Sequence, residues 1–233
     1  MNKNKFFYTF ALLFAASLLF SSCRNNDDDN GNGNGNGNGN NNPGIGNPTA
    51  TTDPGVLIGS IGVRPIRWAT RNVAAPGTFA QNAHDAGMFF QWNRRTGWSA
   101  TNPMVSSPAG ATWDNTNATG ETWVRTNDPC PPGWRVPTLA EFDALRNAGH
   151  EWTTQSGVNG TGFGSGNNTI FLPAAGARNA NGALGNVGTL GWYWSSSPSI
   201  STSDALYLFI RQGNSTLHPS LRATGFSVRC VAE

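Results

Sequence analysis

The chain has 233 residues, a net charge of +2 and only 12% charged side chains. Its two lysines, Lys3 and Lys5, both precede an apolar segment, so the rest of the chain balances thirteen arginines against thirteen carboxylates. This balance excludes a strong electrostatic attraction to nucleic acid or to an anionic membrane. The 29 glycines and nine tryptophans favour short strands, turns and aromatic packing, and the roughly 180 residues after the leader can form a core without any cofactor.

The amino-terminal segment has the pattern of a secretory signal. Two lysines are followed by an apolar run over residues 6–20, which is short for a membrane span, and then by Ser21 and Ser22. Cys23 comes next and resembles the acylation site of bacterial lipoproteins. We therefore predict a lipoprotein signal peptide over residues 1–22 and a lipid anchor on Cys23, where more than one acyl chain would make anchoring stable. An ordinary secreted protein with a chance cysteine is the alternative.

Residues 23–55 are predicted to be a flexible tether. The acidic run Asp27–Asp29 resembles the signal that sends Bacteroidetes lipoproteins to the outer face of the outer membrane; the solvated start of a linker is the alternative. The Asn/Gly tract after it contains nothing that can be buried. A random coil of this length would hold the following domain, residues 56–233, roughly 30 Å from the bilayer. We expect the domain to be exposed on the cell surface.

Short strands are predicted in the first half of this domain. Val56–Val63 is an apolar run interrupted by glycines and continues at Pro65–Trp68, and a further strand is expected over Met88–Trp92. The pair Arg94 and Arg95 could clamp a ligand or lie solvated on a rim. No second metal-binding side chain follows the His84–Asp85 pair nearby, so no metal site is predicted.

One helix is predicted after the segment DPCPPGWRVP. Thr138 and Glu141 have the spacing of a capping box, with Thr138 as the N-cap. Apolar residues then recur at helical spacing, and Gly149 occupies the place of a left-handed C-terminal cap. The pattern indicates about three helical turns.

The glycine-rich segment Gly157–Asn168 is predicted to be irregular. It is not a phosphate-binding loop, because no Lys-Ser/Thr pair follows it and no helix opens after it. The apolar run Ile170–Pro173 then predicts a core strand.

The last forty residues contain a strand with two different faces. One face is aliphatic and is expected in the core, whereas the other carries residue types that anchor protein interfaces. The first face consists of Leu206, Leu208 and Ile210, and the second of Tyr207, Phe209 and Arg211. Leu217 and Leu221 follow in a stretch that we interpret as a polar loop, where clustered apolar side chains indicate an interaction site.

Four motifs resemble one known family. DPCPPGWRVPTLAEFDAL, LPAAGAR, GWYWSSS and GFSVRCV are similar to the Fibrobacter succinogenes major paralogous domain, a secreted module of Bacteroidetes and Fibrobacteres, and the similarity covers about Trp68 to Val231. This resemblance implies a C-type lectin-like fold. In that α+β fold the two ends of the domain pair as strands, and small twisted antiparallel sheets with few helices support long ligand-binding loops.

The cysteines agree with that fold. If lipid occupies Cys23, then Cys130 and Cys230 form the only pair in an exported chain, and their bond would join the segment before the helix to a final strand at Phe226–Val231. Two free buried thiols are the alternative.

The carboxy-terminal stretch also resembles the variable regions of proteins diversified by retroelements. Error-prone copying of adenines there turns AAC codons into codons that cannot encode Trp, Met, Lys, Glu or Gln. Trp192, Trp194 and Gln212 would therefore belong to the scaffold. The residues that we predict to be variable and to bind ligand contain none of the five excluded types: Tyr193, Ser199, Ser201, Tyr207, Phe209, Arg211, Leu217, His218, Ser220, Leu221 and Thr224.

We therefore predict a monomeric, surface-displayed binding module that recognises a protein, or a glycan, on another cell, a phage or a host. Calcium-dependent sugar binding is not expected, because the EPN, QPD and WND triplets of sugar-binding C-type lectins are absent from the sequence. A structural subunit of a fimbria or surface layer is one alternative. An enzyme related to the formylglycine-generating fold is another, but its chemistry needs reactive cysteines, and the isolated Asp143, Glu151 and Asp204 form no catalytic pair with a histidine.

Overall fold

The computed structural model describes residues 51–233 except residues 60, 61 and 63. The predictions of a signal peptide, of a lipid anchor on Cys23 and of most of the tether concern residues outside the described part of the chain. Within the described part there is no helix long and apolar enough to cross a membrane.

Strands dominate the described part of the chain, together with one α-helix and one 3-10 turn. The strands are β1 Val56–Ile58, β2 Ile66–Trp68, β3 Met88–Gln91, β4 Gly97–Ser99, β5 Ser106–Ser107, β6 Trp134–Arg135, β7 His150–Gln155, β8 Val158–Ser165, β9 Asn168–Pro173, β10 Ala177–Arg178, β11 Leu184–Gly185, β12 Leu190–Pro198, β13 Asp204–Arg211, β14 Asn214–Leu221, β15 Gly225–Ser227 and β16 Val231–Ala232. The helix α1 spans Leu139–Asn147, and the 3-10 turn spans Arg125–Asn127. The chain therefore has a small α+β fold of open sheets.

The largest sheet has nine strands and carries the carboxy-terminal segment. Its main path runs β14-β13-β12-β15-β3-β4-β5, with β10 and β11 attached beside β15. Strands β12, β13 and β14 form an antiparallel meander, whereas β15 runs parallel to β12. Strand β14 is therefore at one edge of the sheet.

A second sheet joins the beginning and the end of the described domain. Its order is β1-β2-β16-β6, with Val231 of β16 opposite both Trp68 of β2 and Arg135 of β6. The predicted disulfide between Cys130 and Cys230 is present, with an S–S distance of 2.07 Å. It connects the segment before α1 to the chain just before β16.

The third sheet, β7-β8-β9, corrects one prediction. Gly157–Asn168 was expected to be irregular, but it contains the eight-residue strand β8. A Cβ atom at Gly160 would lie 2.5 Å from Cζ of Phe171, so the missing side chain makes room for the ring on the neighbouring strand. Glycine in a strand often marks such a close approach.

The capping box at the start of α1 is confirmed. The Thr138 hydroxyl accepts from the Glu141 N–H, the Glu141 carboxylate accepts from the Thr138 N–H, and Gly149 has φ of +101°. Phe142 and Leu145 are buried against the large sheet together with Leu208 and other aliphatic side chains. The opposite side of the sheet packs mainly on aromatic rings. On the aliphatic side of the predicted strand near the carboxy terminus, Leu208 and Ile210 are thus buried with the helix, whereas Leu206 is half-buried.

Candidate ligand-binding surface

Strands β12, β13 and β14 bring aromatic side chains together on one face. Trp192 is opposite Phe209, Trp194 is opposite Tyr207, and Tyr207 is in turn opposite His218. Directly opposite residues of antiparallel strands project to the same side of a sheet. These five side chains form one surface, which we call the aromatic face.

The rings of the aromatic face contact one another and Phe226 of β15. Ring centroids are 5.4 Å apart for Trp192 and Phe209, and 4.9 Å apart for Tyr207 and Phe226. The imidazole of His218 lies 6.2 Å from the ring of Tyr207. These separations fall in the range in which aromatic pairs attract, so the rings hold one another in place.

Burial decreases outward across the aromatic face. Trp194 is fully buried, and its Nε1 donates to the Phe90 carbonyl oxygen at 2.8 Å. Trp192, Tyr207 and Phe209 are half-buried, and His218 is exposed. The aromatic core of the large sheet therefore continues into an open surface.

Tyr193 corrects the predicted set of binding residues. It is fully buried, and its Oη donates to the Pro173 carbonyl oxygen at 2.6 Å. Burial also raises the pKa of Tyr193. The reason is alternation, because Tyr193 lies between Trp192 and Trp194 in β12 and so projects to the opposite side, where it packs with the helix.

The structure also corrects the predicted positions of Leu217 and Leu221. They belong to β14 and not to a loop, and they project away from the aromatic face because their parity is opposite to that of His218. Leu217 is opposite Leu208 and packs, half-buried, against the core beneath the helix. Leu221 is 45% exposed at the end of the strand, opposite Asp204.

The remaining predicted residues lie around the aromatic face. Ser220 is opposite Ala205 and shares the side of His218, and its Oγ is 3.3 Å from the hydroxyl of Thr224. Arg211 is exposed where β13 meets the turn to β14. Ser199 and Ser201 lie at the other end, in the connection between β12 and β13, and the Ser201 hydroxyl contacts a neighbouring serine.

A loop over residues 113–124 borders this region, and sequence reasoning missed how it is fixed. The guanidinium of Arg222 donates to the carbonyl oxygens of Ala118 and Gly120 and lies 4.2 Å from the ring centroid of Trp92. Asn117 accepts from the Ala223 N–H at 3.0 Å. A planar guanidinium that stacks and donates in several directions suits this task. The sequence feature that could have indicated this contact is Arg222, the arginine of the segment RATGF.

Arg94 and Arg95, considered above as a ligand clamp, are both engaged within the protein. Arg94 forms an ion pair with Asp114 at 2.7 Å and donates to Thr116. Arg95 donates to the Asp128 carbonyl oxygen at 2.6 Å. Both side chains hold loops in place.

The chemistry that this surface offers is non-covalent contact. It presents ring area, an imidazole and hydroxyl groups, with a guanidinium at its border. Among the described residues no group of three or more His, Cys, Asp and Glu side chains could hold a metal ion. The arrangement suits binding by shape and area.

Comparisons of the chain with protein-family models, with curated proteins and with solved structures found no match. The proposals below depend on the geometry described here and on the sequence resemblances stated above.

Proposed function

We propose that this chain is a surface-displayed lipoprotein with a C-type lectin-like domain, and that the aromatic face is the centre of its binding site for a protein partner. The observation that carries the proposal is the half-burial of Trp192, Tyr207 and Phe209. Large rings that are held in place by neighbours yet remain open to solvent lose little entropy when a partner covers them.

Features of the architecture support the C-type lectin-like assignment. The beginning and the end of the domain pair through β2 and β16, and a disulfide connects the segment before the helix to the last segment. A small set of antiparallel strands then supports the long connections that border the aromatic face. Each of these features is expected from the resemblance to the paralogous domain.

A protein partner fits this surface better than a glycan. The aromatic face is part of a sheet, and its centre offers rings with few hydrogen-bonding groups, which is the composition of protein interface cores. The three half-buried rings alone expose far less than the roughly 800 Å² that one side of a standard interface buries. We therefore expect the site to extend along β14 and towards Ile200, which is fully exposed in the β12–β13 connection.

The proposal includes retroelement diversification of the exposed positions. Tyr207, Phe209 and His218 lie on the open surface, whereas Trp194, which the codon rule assigns to the scaffold, is fully buried. Sequencing of the neighbouring DNA tests this part. We expect a reverse transcriptase gene and a near-copy of the last 120 or so bases that differs only at adenines. If the locus has no such copy, the diversification part of the proposal is wrong and the protein is an adhesin of invariant sequence.

Site-specific photo-crosslinking tests the binding site itself. A photoreactive phenylalanine analogue at position 209 or 218 should give adducts with the same protein partner when the purified protein is mixed with neighbouring bacteria, phage or host extracts. Gln155, exposed at the end of β7, is the matched control position. Adducts that form equally at position 155, or at none of the three positions, would refute the site. Ordered polymers of the purified protein would favour the structural-subunit alternative.

A further inference from the structure

An apolar cavity lies where the segment that precedes β3 meets the connection from β4 to β5. Its volume is about 200 Å³. The side chains around it are mostly small and apolar, and they include Ala74, Ala75, Ala80, Met88, Ala100 and Val105. In the order of the large sheet, β15 separates β3 and β4 from the strands of the aromatic face. The cavity is therefore distinct from the aromatic face.

The polar groups around this cavity are occupied by the protein or by solvent. The Ser99 hydroxyl donates to the Thr101 carbonyl oxygen at 3.0 Å, and the Asp85 carboxylate accepts from the Asn82 N–H at 2.8 Å. The side chains of Gln81 and Thr101 are exposed. The cavity thus offers contact area rather than hydrogen bonds, which suits an apolar side chain.

The first described residues of the chain are fixed beside the cavity. The buried Asp53 carboxylate accepts from the Thr70 N–H and from Nε of Arg71, each at 3.0 Å. The Arg71 guanidinium also donates to the carbonyl oxygens of Thr52, at 2.5 Å, and Ala80, at 3.3 Å. Because one guanidinium joins these two oxygens, Thr52 is a neighbour of Ala80, which lines the cavity. The tether therefore meets the domain close to the cavity.

The tether sequence contains one large apolar side chain, that of Ile45. No other isoleucine, leucine, valine, methionine or aromatic residue occurs between Cys23 and Val56. Ile45 precedes Thr52 by seven residues. An extended chain of that length spans up to about 23 Å, which is enough to bring Ile45 back to the cavity.

The residues around Ile45 also favour docking. The segment reads PGIGNP, in contrast to the Asn/Gly repeat before it. Glycine on each side of the isoleucine lets the backbone approach a surface closely. The prolines restrict the free chain and so reduce the entropy that is lost when the segment binds.

We infer that Ile45 of this chain occupies the apolar cavity. An apolar cavity of about 150 Å³ admits benzene, so the volume here is sufficient for the side chain of isoleucine. The short connection to Thr52 also gives Ile45 a high effective concentration at the cavity. Docking moves the attachment point of the tether from Thr52 to Ile45, and a random coil over residues 24–44 reaches about 25 Å rather than about 30 Å. This shorter reach from the membrane rests on the lipid anchor proposed above, whereas the docking itself does not.

Methyl NMR of the purified protein, labelled with ¹³C in the methyl groups of methionine and isoleucine, tests the docking. Met88 lines the cavity and reports on its contents. We expect a nuclear Overhauser contact between the methyl groups of Ile45 and Met88. Ile45→Asn should shift the Met88 signal, and Asn47→Ser, the control in the same segment, should leave it in place. A Met88 signal that shows no contact with Ile45 and does not respond to Ile45→Asn would overturn the inference.

Proteolysis by thermolysin gives a second measurement, because this enzyme cuts before large apolar residues and the Gly44–Ile45 bond is such a site. Ala100→Leu fills the cavity and should speed cleavage of this bond by about tenfold or more, since cleavage follows the undocked population. Ala140→Leu, on an exposed position of α1, should leave the rate unchanged. Equal rates in the wild type and a folded Ala100→Leu variant would contradict docking. If Ala100→Leu does not fold, the NMR comparison with Ile45→Asn still decides the question, because that change lies in the tether.

Two further results would assign the cavity to a different occupant and overturn the inference. A Met88 signal that responds to added benzene but not to Ile45→Asn would indicate a small apolar ligand. A Met88 signal that changes with protein concentration but not with Ile45→Asn would indicate a side chain from a second copy. None of these outcomes bears on the aromatic face, which the photo-crosslinks at positions 209 and 218 test separately.

Discussion

Reduction of the disulfide between Cys130 and Cys230 should destabilise the domain strongly. The bond closes a loop with a sequence separation of 100 residues. In the chain-entropy model, a loop of this length stabilises the native state by about 4.7 kcal/mol, because it restricts the unfolded chain. In a domain of this size, each 1 kcal/mol shifts the Tm by about 2–4 °C, so reduction should lower it by about 10–20 °C.

Urea unfolding followed by tryptophan fluorescence, with and without dithiothreitol, measures this difference. The double variant Cys130→Ala/Cys230→Ala is the control, because its stability should not respond to the reductant. Both half-cystines are buried, so the variant should also lose packing and be somewhat less stable than the reduced wild type. A loss of less than about 1 kcal/mol on reduction would refute the reasoning, since it would mean that the unfolded chain gains little freedom.

Three further predictions concern the aromatic face, the helix cap and the anchor. Phe209→Ala should lower the free energy of unfolding by about 1–2 kcal/mol, whereas Phe90→Ala, which removes a fully buried ring of the same sheet, should lower it by about 3–5 kcal/mol. Equal losses in urea unfolding would show that the ring at position 209 is part of the core. Burial opposes the charged form of Glu141, but hydrogen bonds from Arg135 and Thr138 outweigh it and hold the pKa of Glu141 below its usual 4.5. The ionised carboxylate therefore stabilises the folded state fully above about pH 4.5, and this stabilisation is lost as the pH falls through the lower folded pKa. Glu141→Gln should cost about 1 kcal/mol of unfolding free energy at pH 7 and progressively less in acid. A difference between wild type and variant that is constant with pH would contradict this. Metabolic labelling with an alkyne-tagged fatty acid should mark the wild type but not Cys23→Ser, and equal labelling of both would exclude Cys23 as the anchor.

The helix and the strand β13 were predictable because their sequence patterns are local, and the disulfide was predictable because the chain has few cysteines. Thr138 and Glu141 cap α1 through contacts three residues apart, and the alternation of β13 is visible in its side chains. The disulfide prediction needed only the count of cysteines available for pairing. None of these required knowledge of how distant segments meet.

The corrections have a common physical cause, which is that pairing between strands is invisible in one sequence. Strand β8 has glycines at positions where a typical strand has alternating apolar side chains. Its packing depends on neighbours such as Phe171, whose ring fills the space above Gly160. The turn between β13 and β14 sets the parity of Leu217, and only the register with Leu208 shows that this side chain faces the helix. Alternation separates Tyr193 from Trp192 and Trp194, but only the pairing of Tyr193 with Leu208 shows that Tyr193 is on the side of β12 that faces the helix.

The affinity of the cross-linked partner for alanine variants tests the central claim most directly. We predict that Phe209→Ala weakens binding by about thirtyfold or more, as expected for an interface hot spot, and that the protein stays folded. Gln155→Ala, on the three-stranded sheet, should bind as the wild type does. An unchanged Kd for a folded Phe209→Ala variant would contradict the claim that the aromatic face is the centre of the binding site.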